Sequence, residues 1–265
     1  MIFHSSIEPI YFILPLVGFL IGLFGTMLGG GGGFFFLPIL TLLIGVPPQI
    51  AVITSLVATL PICLVGTLGH YQKTNINIRI GVMFSLTGVV GAFAGARIAG
   101  MVSPEQLKAG FGIYSILIAL NMALGARKKK MAESAQRVGS GGSGPGKRIK
   151  GSIFGLFAGF ITGTFGTSGT APVLAGLFSM GIPLKLVIGT SLMVVLVNTL
   201  FAVGAHFLVG RIDLMLVYFL TAGSIAGAIL GPKILTRIKT DQSESKVRFL
   251  YAGVVAAIGI LMIVG

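Results

Sequence analysis

GVPPQIAVITSLVATLPICLVGTLGH occupies residues 45–70, and GIPLKLVIGTSLMVVLVNTLFAVGAH occupies residues 181–206. At an offset of 136, Gly45-Val46-Pro47 falls on Gly181-Ile182-Pro183, Thr54-Ser55-Leu56 on Thr190-Ser191-Leu192, and His70 on His206. The same offset takes Gly91, Gly95 and Arg97 to Gly227, Gly231 and Lys233. Upstream, one further residue of shift aligns Gly18 and Gly22 with Gly155 and Gly159. Agreement at a fixed offset, kept from Gly18 to Arg97, marks an internal duplication.

What is duplicated is apolar. Of 265 residues, 54% are hydrophobic and only 9% charged, with a mean hydropathy of +1.01. Soluble domains carry about 25% charged residues, so this chain has too few to cover a globule in water. A soluble enzyme, a disordered protein and a disulfide scaffold are excluded, and an integral membrane protein remains. The lone Cys63 lies inside an apolar run and supports neither a disulfide framework nor a thiolate site. A net charge of +13 would suit nucleic acid, but the basic residues sit between apolar runs, as orientation charges do. No basic stretch precedes the apolar run 10–28, so no cleavable signal peptide is expected.

A membrane span needs roughly 20 apolar residues. Residues 49–68, 80–101 and 107–126 satisfy this in the first half. Region 9–45 is uncharged apart from its approach at Glu8, and is interrupted by the glycines of 29–33. It is too long for one span and short for two, and glycine favours turns over helix interiors. It therefore reads as a hairpin, full or re-entrant, of two short helices meeting at the glycine run. Residues 127–150 are basic and polar, and include GSGGSGPG at 139–146. Such a composition describes an exposed linker. The division is a first membrane repeat at 1–126, a basic cytoplasmic linker at 127–150 and a second membrane repeat at 151–265.

Charge sets the topology. If each broken hairpin begins and ends on one side, each half crosses an odd number of times and the halves are inverted. With the linker cytoplasmic, all 19 lysines and arginines except Arg97, Lys108 and Arg211 then face inside. Parallel halves would instead put Arg97, Lys108, Lys185, Lys233, Arg237, Lys239, Lys246 and Arg248 outside. The positive-inside rule prefers the first arrangement. The expected fold is an all-α integral membrane protein of two inverted-topology repeats, each a glycine-broken hairpin plus three transmembrane helices. Both termini lie outside the cell membrane.

Inverted repeats with interrupted segments at equivalent places point to a secondary transporter whose ligand sits at the breaks. A helix beginning after a break turns free N–H groups into the cavity, which suits a small anion. In the first half the candidates are Gly30, Gly31, Gly32, Gly33 and Phe34; close helix packing is the competing use of glycine. The second break reads Gly166-Thr167-Ser168-Gly169-Thr170-Ala171-Pro172. Its residues Thr167, Ser168, Gly169, Thr170 and Ala171 would meet ligand oxygens, unless the hydroxyls bond back to their own helix. Thr54, Ser55, Thr190 and Ser191 are duplicated hydroxyl pairs that would face one another across a pseudo-twofold axis. Asn198, at spacings of seven and eight from Ser191 and Thr190, is a further inward candidate. His70 and His206 close the corresponding spans, near opposite faces, where a histidine can carry a proton, act at a gate or simply end a helix.

The acids Glu8, Glu105, Glu133, Asp213, Asp241 and Glu244 all fall in termini, linkers or span ends. No buried carboxylate is available for a proton or sodium relay. HExxH, G-x-S-x-G, P-loop and metal-ligand patterns are missing, so no enzyme activity, cofactor or metal is expected.

GGGGG at 29–33 with Pro38 following, then GVP and TSL, repeated later as GIP and GTSL, resembles the TauE/SafE sulfite exporter family over essentially the whole chain. The resemblance implies transport of small sulfur-containing anions, such as sulfite, sulfoacetate and other organosulfonates, across a cytoplasmic membrane. Family members commonly carry a glycine-rich turn in the second half too, where this chain has GTSGTAP. The expected partners are the lipid bilayer and a small anion, sulfite or an organosulfonate, carried by alternating access. A channel-like anion pore and a carrier of a non-sulfur anion are the alternatives.

Overall fold

The computed structural model describes residues 2–3, 5–27, 30–132, 145–207, 212–235 and 244–265. Gly29, Arg211, Arg237, Lys239 and the 133–144 part of the linker lie outside the described residues. Among the described residues ten α-helices follow one another, five from each half of the duplication. They are α1 (Leu14–Met27), preceded by a 3-10 turn at Pro9–Ile13, and α2 (Gly33–Pro38), continued by a π turn at Ile39–Leu43. Then come α3 (Pro48–Gln72), α4 (Ile78–Ala99) and α5 (Pro104–Ala132). The second half repeats the series as α6 (Pro145–Phe165), α7 (Thr170–Ser179), α8 (Leu184–Phe207), α9 (Leu214–Leu235) and α10 (Glu244–Val264). Two short strands, β1 (Ile2–Phe3) and β2 (Ile212–Asp213), pair in parallel.

Local chemistry explains the boundaries. Gly45 and Gly181 both have φ of +74°, which ends each hairpin in the left-handed region, and the proline two residues on leads into α3 or α8. Asn77 caps α4, its side chain accepting from the Ile80 N–H at 3.2 Å. Ser103 and Gln106 form a reciprocal capping box ahead of α5, with bonds of 3.2 and 2.9 Å.

Five helices among the described residues are long and apolar enough to cross a membrane: Pro9–Met27, Pro48–Gln72, Ile78–Ala99, Leu184–Phe207 and Leu214–Gly231. Their outward faces are apolar. Phe12, Leu16, Leu20 and Phe24 form one exposed stripe, and Val82, Leu86, Val90 and Phe93 another. Stripes of that kind face lipid, where water would penalise them.

The hairpin arms are unequal, contrary to the two short helices expected. The first arm, Pro9–Met27, is 19 residues, whereas α2 and its π turn together run only from Gly33 to Leu43. The glycine run begins late in the region, so the first arm is the longer of the two. Helices also enter the expected linker from both ends, α5 to Ala132 and α6 from Pro145. Lysine and arginine are good helix formers, so their arrival does not stop α5, and Pro145 suits a first helical turn.

The halves interlock. α1 packs on α9 and α4 on α6, while α3 packs on α8 and α5 on α10. Exchanging the halves maps the first two pairings onto each other and leaves the last two unchanged. Glycines make the closest approaches, backbone to backbone. Gly223 meets Pro15, Gly227 meets Phe19 and Gly231 meets Leu23, so α1 and α9 advance together. Gly155 meets Phe84, Gly159 meets Gly88 and Gly163 meets Ala92, so α4 and α6 do likewise. α3 and α8 run oppositely, because Gly66 meets Leu192 while Gly189 meets His70. So do α5 and α10, where Gly112 meets Ile263 and Gly259 meets Ile116.

Candidate functional site

The two breaks meet inside the bundle. Each turns on a pair of left-handed glycines: Gly31 and Gly32 at φ +62° and +74°, Gly166 and Gly169 at +65° and +53°. An L side chain in that region costs roughly 1–2 kcal/mol, which is why a glycine holds each of these corners. The first tip lies at mid-height of α3. A Cβ built on Gly31 would run into Cys63 and lie 3.3 Å from Thr59, and one on Gly33 would stand 2.8 Å from Thr59 Oγ1 and 3.1 Å from Ser168 N.

Hydroxyls of the second tip tie it to the first. Thr170 Oγ1 donates to the Gly30 carbonyl at 3.0 Å, and Ser168 Oγ then donates to Thr170 Oγ1 at 2.7 Å. Ser55 of α3 shares its proton between Val52 O at 2.8 Å and Gly166 O at 2.9 Å, fixing the second tip to α3. Ser168 and Thr170 therefore do not bond back to their own helix. Gly30, Gly31, Gly33, Ser55, Ser168 and Thr170 come together, with Gly32 packed back on Ile21 and Gly169 on Ala158 and Thr162. Phe34 is buried against the rings of Phe35 and Phe111, 5.5 and 5.2 Å away, and belongs to the apolar surround. Thr167 is buried in the second break, and Ala171 follows in the first turn of α7.

The duplicated Thr-Ser pairs do not act alike. Thr190 Oγ1 accepts from the Asn77 backbone N–H at 2.9 Å, so it anchors the start of α4 rather than a tip. Thr54 is buried with no hydrogen-bond partner for Oγ1 among the described residues. Ser191 is buried in α8. Asn198 lies against Gly88 of α4, and neither of its amide atoms has a partner among the described residues.

Asn198 has company that the sequence reading passed over. Ser85 Oγ and Thr199 Oγ1 are also buried without partners among the described residues. Val195, one turn before Thr199, packs 3.7 Å from the Cβ position of Gly31. Asn198 and Thr199 thus sit within about 5–6 Å along the helix axis of the first tip. A buried polar group without a partner costs about 1–3 kcal/mol. The signal for Thr59 and Cys63 was available: with Ser55 they recur every four residues and share one face of α3.

His70 and His206 are buried at the far ends of α3 and α8. Their surroundings differ. His206 Nε2 donates to the Gly163 carbonyl at 2.6 Å, whereas both ring nitrogens of His70 lack a partner among the described residues. A cavity of about 170 Å³ adjoins His206, lined also by Gln49, Val52, Ile53, Ala96, Ala99 and Gly100. No group of three or more metal-ligating side chains occurs among the described residues.

Broken helices meeting tip to tip inside a sleeve of lipid-length helices define a multi-pass membrane protein of the transporter class. The chain belongs to the sulfite exporter TauE/SafE family, whose model matches residues 14–262. A probable membrane transporter protein of Xylella fastidiosa (strain 9a5c) is 31% identical over 94% of this chain and 91% of its own length. The probable membrane transporter protein YdhB of Bacillus subtilis is 27% identical over 83% of this chain and 89% of its own. No solved structure matches the chain.

Proposed function

We propose that this protein is a secondary carrier of small sulfur oxyanions, sulfite or an organosulfonate, working by alternating access between two inverted repeats. Residues 1–126 and 151–265 form the repeats, 127–150 the cytoplasmic link, and both ends face outside. The observation that carries the reading is the meeting of the two breaks at mid-height of α3, between α3 and α8. These two helices are equivalent in sequence yet packed in opposite directions. Opposed equivalents around a central break are what inverted repeats require.

The guest sits at the tips, taking hydrogen bonds from the backbone around Gly31 to Phe34 and Ser168 to Ala171. Asn198 and Ser191 supply side-chain donors, while Ser55, Ser168 and Thr170, whose protons go to Gly166 O, Thr170 and Gly30 O, set the shape of the site, with Thr54 and Thr190 buried behind them. A site made of neutral donors holds an oxyanion loosely enough to release it, which a buried arginine would not. The family description supports a sulfur oxyanion, and the hydroxyl-rich second tip supports an oxygen-rich guest.

The test is the melting temperature of detergent-purified protein with sulfite, thiosulfate, sulfoacetate, sulfate, chloride and a carboxylate. A ligand that binds only the folded state raises apparent stability, by about 2.7 kcal/mol at a hundred times Kd. Stabilisation by a sulfur oxyanion but not by chloride is expected. Equal response to every anion, or to none, would overturn the assignment.

A further inference from the structure

We infer that His206 and His70 are reciprocal latches on two alternately open vestibules, each holding its own vestibule open by donating to a carbonyl at the inner end of the adjoining hairpin arm. The inference rests on the carrier reading above and specifies which bonds change when the carrier turns over.

The two histidines are equivalent in the duplication but not in their bonds. His206 donates to Gly163 O at 2.6 Å, and a cavity adjoins it. Gly163 lies in the last turn of α6, just ahead of the second break, and the bend itself packs on the cavity wall, Gly166 lying against Val52. On the opposite face, Gly189 and the segment 75–77 pack against His70. The Gly189 Cβ position meets the Asn75 carbonyl and stands 3.1 Å from His70 Cβ. The segment carrying Asn75 is pinned there, Asn75 N–H bonding His70 O at 3.0 Å and Asn77 N–H bonding Thr190 at 2.9 Å.

With the one-residue shift that aligns Gly22 with Gly159, the counterpart of Gly163 is Thr26. Thr26 is already next to the histidine's helix, its Cγ2 3.0 Å from the Cβ position of Gly66, one turn before His70. Inverted repeats reach the opposite-facing state by exchanging the conformations of their halves. That exchange gives His70 a bond to Thr26 O and takes from His206 its bond to Gly163 O. A buried imidazole without a partner is costly, and the missing partner is supplied by the other state. The vestibule beside His206 is the path by which a small oxyanion approaches the second tip from that face.

The experiment reads both vestibules at once, in a Cys63→Ala background. Ala99→Cys reports the cavity beside His206, and Ile188→Cys, at the position equivalent to Val52, reports its closed counterpart. Both are treated with an impermeant maleimide in detergent, where both faces are open to reagent. His206→Phe is expected to lower the Ala99→Cys rate relative to Ile188→Cys, and His70→Phe to raise it. Each shift in the ratio should be roughly threefold, the size of a typical interhelical hydrogen bond in a membrane. His206→Gln, which still donates, should restore the parent ratio. Unchanged ratios, or movement in the same direction in both variants, would overturn the latches. If Ile188→Cys stays unreactive in every variant, the carrier reading fails with them.

Discussion

Replacing Thr170 with valine removes one oxygen and keeps the shape of the side chain. Two bonds disappear: the donation to Gly30 O at 3.0 Å, which joins the tips, and the acceptance from Ser168 at 2.7 Å. Interhelical bonds in membrane proteins average about 0.6 kcal/mol and reach about 1.7, so the pair contributes roughly 1–3 kcal/mol. For a chain of this size that is a fall in Tm of roughly 2–6 °C. The assay is thermal unfolding of the purified protein, with Ser115→Ala as its reference. Ser115 is fully buried, whereas Thr170 is half-buried, and the Ser115 hydroxyl bonds back to Phe111 O at 2.8 Å on its own helix. Removing such a bond is close to neutral. If Thr170→Val melts with Ser115→Ala, the tips are not held together as described, and a site built on their contact loses its foundation.

The remaining predictions follow the same geometry. Gly31→Ala should destabilise through both its φ of +62° and its clash with Cys63; adding Cys63→Ala should recover only the clash, leaving about 1–2 kcal/mol, as a double-mutant cycle on Tm would show. Gly159→Ala drives a methyl into the Gly88 carbonyl and should cost about 1–3 kcal/mol as α4 and α6 separate. Gly204→Ala, with open space around it, should be neutral or slightly stabilising in the same melt. Asn198→Leu should raise Tm, by removing an amide that has no partner among the described residues, while abolishing sulfite transport; a variant that melts lower and transports normally would contradict its place at the site.

The repeat was legible because its marks are chemical: glycine in a left-handed turn, proline to open the next helix, and paired hydroxyls at one offset. The breaks were legible for the same reason. Arm lengths were not. In lipid a helix is apolar on every side, so the chain carries no amphipathic period to show where α1 ends, and only the position of the glycines limits it. The basic run 127–130 looked like the start of a linker but lies on α5, since charge marks the membrane boundary and not the end of a helix.

Partner choice was beyond reach. Thr54-Ser55 and Thr190-Ser191 are the same letters, yet Ser55 holds the second tip and Thr190 the start of α4. The difference lies in what the opposite half brings against each pair. Ser85 was hidden among the small residues of α4 until Gly88 of the same helix was seen against Asn198. The unlike bonds of His70 and His206 are equally invisible in sequence, because the two residues are the same letter at equivalent positions of the duplication.

The most direct test is counterflow of labelled sulfite in proteoliposomes preloaded with unlabelled sulfite, comparing the parent with Ser168→Leu and Ser191→Leu. Saturable exchange is expected in the parent and none in either variant at equal reconstitution. Flux that rises linearly with sulfite, or exchange undiminished in both variants, would contradict a carrier whose site lies at the meeting of the two breaks.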